Sequence, residues 1–193
     1  MAKIFPQKPI ISSANFNFMT IKKETYTVWM KSLVCHTNGC TIFDSNGNIV
    51  YRVENYDHKS SNEVFLMDLR GRVIVTIRRK RLLVFRRWYG YRWNVENKEE
   101  EEPWFEVRRD WMRKMGCEVR LGFDKYWIVN LGQKDGFRIV DFDGDLIAEV
   151  KQKQTASGYG LGDDVLSLIV EPHIDHLFII AILIVYGLIN NIL

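Results

Sequence analysis

From Thr25 onward, the hydrophobic and polar positions follow the texture of β-strands. Apolar runs are short, rich in branched and aromatic residues, and bounded by turn residues, as half-buried strands require. Residues 26–30 (Tyr-Thr-Val-Trp-Met) form one such run. Val73, Val75 and Ile77 share one face of another, because side chains alternate along a strand. Residues 165–170 are a further strand, stopped by Pro172. Residues 1–24 lack this texture, carry Pro6 and Pro9, and are expected to form a partly irregular lead-in to a single domain over 25–193.

A repeat punctuates the pattern. Asp44, Gly47, Ile49 and Val50 stand in the same frame as Asp68, Gly71, Val73 and Ile74, and as Asp141, Gly144, Leu146 and Ile147. The frame spells a hairpin. The Asp carboxylate bonds its own backbone at the turn entry, and Gly supplies the positive φ that closes it. Strands are expected to follow at 49–53, 73–77 and 146–150. Many short strands at such spacing suggest a sandwich or a barrel. Residues 94–103 interrupt the pattern with a Glu-rich run ending in Pro103, which reads as an acidic surface loop.

Near the C-terminus the period changes. Residues 177–189 are apolar throughout except for Tyr186, and Asp175 is placed to cap a helix over about 175–190. A helix that is apolar all round is buried in protein or in lipid. Thirteen residues give about 20 Å, short of the roughly 30 Å of a bilayer core. A β-shell also needs an interior, so burial in the protein core is favoured, with lipid as the alternative.

Composition changes this picture little. With 193 residues, 47% hydrophobic and 26% charged, the chain can build one full core. A net charge of +3 is too mild to imply nucleic acid. Cys35, Cys40 and Cys117 make no disulfide framework and read as free thiols. The N-terminus lacks a signal-peptide plan, and Ala2 excludes simple myristoylation. The expected compartment is the cytoplasm, at the plasma membrane or in the nucleus as alternatives, and not secreted.

The distribution of charge says more. Residues 70–93 carry nine Arg and Lys residues and no Asp or Glu, interleaved with Phe85, Trp88, Tyr89, Tyr91 and Trp93. Arg78, Arg79, Lys80 and Arg81 are expected to form a basic hairpin tip, with Arg86 and Arg87 after the turn. Such a tip can grip phosphates of inositol lipids or of nucleic acid, since guanidinium pairs bidentately with phosphate. The plainer alternative is a solvated tip whose charge partly balances the acidic loop at 96–102.

Catalytic constellations are missing. Gly158, Gly160 and Gly162 lack the Lys and Ser/Thr of a P-loop, and no Gly-x-Ser-x-Gly elbow exists. Cys35 and His36 are adjacent, so on a strand they face opposite ways. Asp141, Asp143 and Asp145 alternate like the start of a calcium loop, but Gln152 stands where the closing Glu is needed. His173 and His176 are a lone pair. No catalytic residue, metal or cofactor is expected.

Several segments taken together resemble the LURP-one-related (LOR) family of plants. They are residues 29–33, 43–47, Asn55 and Tyr56, 67–71, 76–83, 162–172, and Asp175 with His176 leading into the apolar helix. The Glu-rich stretch at 96–102 departs from the family's pattern. The resemblance implies a tubby C-terminal-like fold, a closed antiparallel barrel of about twelve strands around a central hydrophobic C-terminal helix. It implies no enzymatic activity, and phospholipid scramblases and tubby proteins are its relatives. The expected role is a binding or regulatory module in plant defence or signalling, monomeric, with anionic phospholipids such as phosphoinositides as partners. A protein-interaction scaffold without lipid binding and a membrane-anchored scramblase-like protein are the alternatives, and nucleic acid is the weakest partner class.

Overall fold

A computed structural model describes residues 18–30, 38–55, 62–82, 85–93, 98, 101–110, 116–132, 136–154, 160–162 and 164–190. Twelve strands precede one helix. They are β1 (Glu24–Trp29), β2 (Asn38–Phe43), β3 (Ile49–Asn55), β4 (Glu63–Met67), β5 (Val73–Leu82), β6 (Phe85–Arg92), β7 (Phe105–Asp110), β8 (Gly116–Leu121), β9 (Asp124–Gly132), β10 (Gly136–Val140), β11 (Leu146–Gln152) and β12 (Val165–Val170), followed by α1 (His176–Ile189). Each strand pairs antiparallel with its sequence neighbour, and β12 pairs back onto β1 with Glu24 opposite Val170 and Trp29 opposite Val165. An even strand count lets the first and last strands meet antiparallel, so the barrel closes and no edge is left open.

Alternation puts Val28, Ile42, Leu66, Val75, Ile77, Val107, Val119, Ile139 and Leu168 on the inner wall without exposed surface. They enclose α1, whose residues from His176 to Gly187 are all buried. The wall surrounds the helix on every side, which explains why the segment has no polar face. Asp175 caps it, its side chain accepting from the Phe178 N–H at 3.1 Å. No described helix is long and apolar enough to cross a membrane.

The three Asp-x-x-Gly repeats form one turn three times. Asp44 Oδ1 accepts from the Asn46 and Asn48 amides, Asp68 Oδ1 from Arg70 and Arg72, and Asp141 Oδ1 from Asp143 and Asp145. Gly47, Gly71 and Gly144 take φ of 82°, 77° and 90°. A fourth tight turn, at Gly122 and Phe123, joins β8 to β9. Antiparallel order places all four at one barrel end, beside the N-terminus of α1. The β5–β6 connection lies at the opposite end.

Of the three cysteines, Cys40 and Cys117 are buried and not joined in a disulfide, and Cys35 lies outside the described residues, as does the Cys35–His36 pair. Most of the lead-in and much of the 94–103 loop are also outside them; Glu101 and Glu102 are exposed.

Candidate functional site

Arg78 to Arg81 do not form the tip that the sequence suggested. They belong to β5, which runs on to Leu82, and the register pairs Arg78 with Tyr89, Arg79 with Trp88, Lys80 with Arg87 and Arg81 with Arg86. Strand alternation then splits the basic cluster. Arg78, Lys80 and Arg87 share the outer face with Tyr89 and Tyr91. Arg79 occupies the opposite parity, in line with the buried Val75 and Ile77. Arg81 and Arg86 are placed here by register alone.

Each described member has an anchor. Arg78 Nε donates to Glu63 of β4 at 2.6 Å, and its guanidinium lies 5.2 Å from the Tyr91 ring centre. Arg79 Nε donates to the Asn62 side chain at 3.0 Å and lies over Trp88. Arg87 donates to Glu106 of β7 at 2.9 Å. The exposed Lys80 instead rests its ammonium over the rings of Tyr89 and Tyr91, at 5.3 and 5.6 Å. Its pKa is raised, chiefly by a hydrogen bond with Tyr91, so it is cationic at any physiological pH. Among the described residues it has no carboxylate partner.

Among the described residues, Arg78 and Arg87 are balanced across strands, by Glu63 and Glu106. Glu63 and Glu106 went unrecognised in the sequence because they sit on separate hairpins, fifteen and nineteen residues from their partners. The same belt continues around the wall, with Arg108 and Arg120 on Glu118, and Arg138 and Lys151 on Glu149.

The other barrel end holds a second polar cluster. Arg92 pairs with the helix cap Asp175 and stacks 3.7 Å over the Trp104 ring. Tyr26 is hydrogen-bonded to Nδ1 of the buried His176. Burial lowers the His176 pKa and raises those of Tyr26 and Tyr51, the latter to about 12 with Asp175 as a second cause. Neither this cluster nor the Asp turns shows metal-ligand geometry. The turn carboxylates are occupied by their own backbone amides, and no group of three or more His, Cys, Asp or Glu among the described residues could hold a metal ion. His173 is exposed in a left-handed conformation, φ 64°, while His176 is buried.

A closed antiparallel barrel of twelve strands, filled by its own C-terminal helix and belted by ion pairs, defines the fold class. A solved X-ray structure of an Arabidopsis thaliana protein shares it, with a TM-score of 0.64 at 17% identity over 90% of this chain and 95% of that one. The family model for LURP-one-related (LOR) proteins matches residues 24–187. Protein LURP-one-related 4 of Arabidopsis thaliana is 46% identical over 100% of this chain and 88% of its own length. LURP-one-related 11 of the same plant is 42% identical over 91% of this chain and 82% of its own. The chain belongs to the LURP-one-related family.

Proposed function

We propose that this protein is a non-catalytic binding and regulatory module of plant defence or signalling that docks on anionic phospholipids through the outer face of β5 and β6. The observation that carries the reading is Lys80, exposed, cationic and seated on Tyr89 and Tyr91 between Arg78 and Arg87. A cation framed by aromatic rings suits the boundary between headgroup and acyl chain, where amphipathic rings sit at headgroup level. The interior supports a surface role, because α1 already occupies it.

Sedimentation with phosphoinositide vesicles at low salt tests the reading. Binding is expected there and not to neutral phosphatidylcholine, and Lys80→Glu should weaken it. Absence of binding at low salt would sink the lipid claim.

A second reading, a protein-interaction scaffold without lipid binding, is favoured by the ion pairs Arg78–Glu63 and Arg87–Glu106, which already engage two of the basic side chains. The membrane-anchored alternative needs the C-terminal segment in lipid. Its apolar residues serve instead as the barrel core.

A further inference from the structure

Three strands round the barrel from the basic hairpin, the outer wall changes character. Between β5 and β8 the outward positions include the ion-paired Arg78, Arg87, Arg108 and Glu118, beside Lys80 on its two tyrosines. On β9 the outward positions are Trp127, Val129 and Leu131, while Ile128 points inward and is buried. A strand apolar on both faces is the pattern of one that is covered on both sides. Here the outer face is open: Val129 is 37% exposed and Leu146 of β11 is 39% exposed.

Two turns extend this surface. Phe142 is 73% exposed and tilts against Trp127 at 6.0 Å, and Phe123, at the neighbouring turn, is wholly exposed. Turn chemistry does not ask for either ring. In the repeated Asp-x-x-Gly turn the second position is Ser45, Leu69 or Phe142, and the Asp and Gly alone hold the geometry. Exposed aromatic side chains grouped on one face mark interaction sites in soluble domains.

The charge at this rim selects the partner. Asp124, Asp143 and Asp145 are exposed beside the two rings, and Asp141 adds a fourth carboxylate. The Tyr126 phenol is pushed up first by burial and then by Asp124 and Asp141, so both carboxylates act at one place. Against them stand Lys125 and, further along the wall, Arg138 and Lys151, which share Glu149 at 2.7 and 2.8 Å, so the balance stays acidic. An anionic membrane is repelled by such a rim. We infer that the outer wall of β9 to β11, with Phe123 and Phe142 at its end, is a docking surface for a segment of a partner protein that carries apolar side chains next to Lys or Arg.

The inference is independent of the lipid reading and is tested on the full chain by fluorescence anisotropy. The probes are two labelled peptides with the same Leu and Trp positions, one with Arg and Lys between them and one with Glu. The basic peptide is expected to bind, roughly tenfold or more tighter than its acidic twin. The Phe123→Ala/Phe142→Ala variant should lose roughly tenfold in affinity. Asp143→Asn/Asp145→Asn should weaken binding and flatten its salt dependence, and Lys80→Glu should leave it unchanged. Phe123→Ser, altering a fully exposed ring, guards against a folding artefact. Equal binding of the two peptides, or unchanged binding in the Phe variants, overturns the inference. Two further outcomes would also overturn it. One is a concentration-dependent dimer abolished by Phe142→Ala, which assigns the wall to a second copy. The other is vesicle binding abolished by Phe142→Ala, which assigns it to lipid.

Discussion

Replacing Ile180 by Asp tests the central placement of the helix most directly. Ile180 lies near the middle of α1, and residues 179–183 are each exposed by 1% or less. Deleting the Ile side chain to Ala at such a site costs about 2–5 kcal/mol. A protonated carboxyl left without a partner adds about 1–3 kcal/mol, and an ionised one several more. The sum rivals the entire stability of a domain, about 5–15 kcal/mol. Ile180→Asp is therefore expected to be unfolded at neutral pH by far-UV circular dichroism. Ile180→Ala should fold with a lowered urea midpoint, and Ile180→Val should lose only about 0.5–1.5 kcal/mol. The acid dependence has a definite sign. The introduced carboxyl would hold its proton more tightly when folded, so its folded pKa is raised and stability rises as pH falls through that value. A soluble Ile180→Asp protein with a wild-type melting curve at pH 7 would refute the placement.

Gly90→Ala should destabilise by about 1–3 kcal/mol in urea unfolding, because its Cβ would meet the Phe105 ring at 2.1 Å. In a Phe105→Ala background the same change should cost less, and additivity would disprove the clash. Asp175→Ala should cost about 2–4 kcal/mol by removing the helix cap and the carboxylate facing Arg92, whereas Asp175→Asn should retain the cap and cost less; equal losses would assign everything to the ion pair. Acid titration should show stability falling below about pH 4. Asp44 is held low by Asn48, and Glu149 by Lys151 and Arg138; in Glu118, burial pushes the pKa up but the bonds from Arg108 and Arg120 outweigh it. All three folded pKa values are lowered, so their contribution is complete above the ordinary carboxylate values and lost as pH falls through the folded ones. Burial raises the Cys40 thiol to about 12, so iodoacetamide should label Cys40 only after unfolding, as mass spectrometry would show.

The local devices of this protein were legible in its sequence because each is carried by residues close in the chain. Asp44, Asp68 and Asp141 bond amides two and four residues on, and their glycines stand three residues later. Such turns depend on no distant partner. The apolar run before Ile189 likewise declared a helix without a wet face, capped by Asp175 three residues before Phe178.

What lay beyond reach was everything decided by strands meeting across the barrel. The basic cluster read as a single tip, because charge in sequence carries no record of the face on which it emerges. Register separates Arg79 from Arg78 and Lys80 and brings Glu63 and Glu106 against Arg78 and Arg87. The apolar outer face of β9 was equally hidden, because only closure of the barrel shows which parity of Trp127, Ile128, Val129 and Leu131 faces the helix. Turn chemistry and hydrophobic period act over two to four residues and so can be read along the chain. The inside and outside of a closed sheet depend on pairings that only the assembled barrel contains.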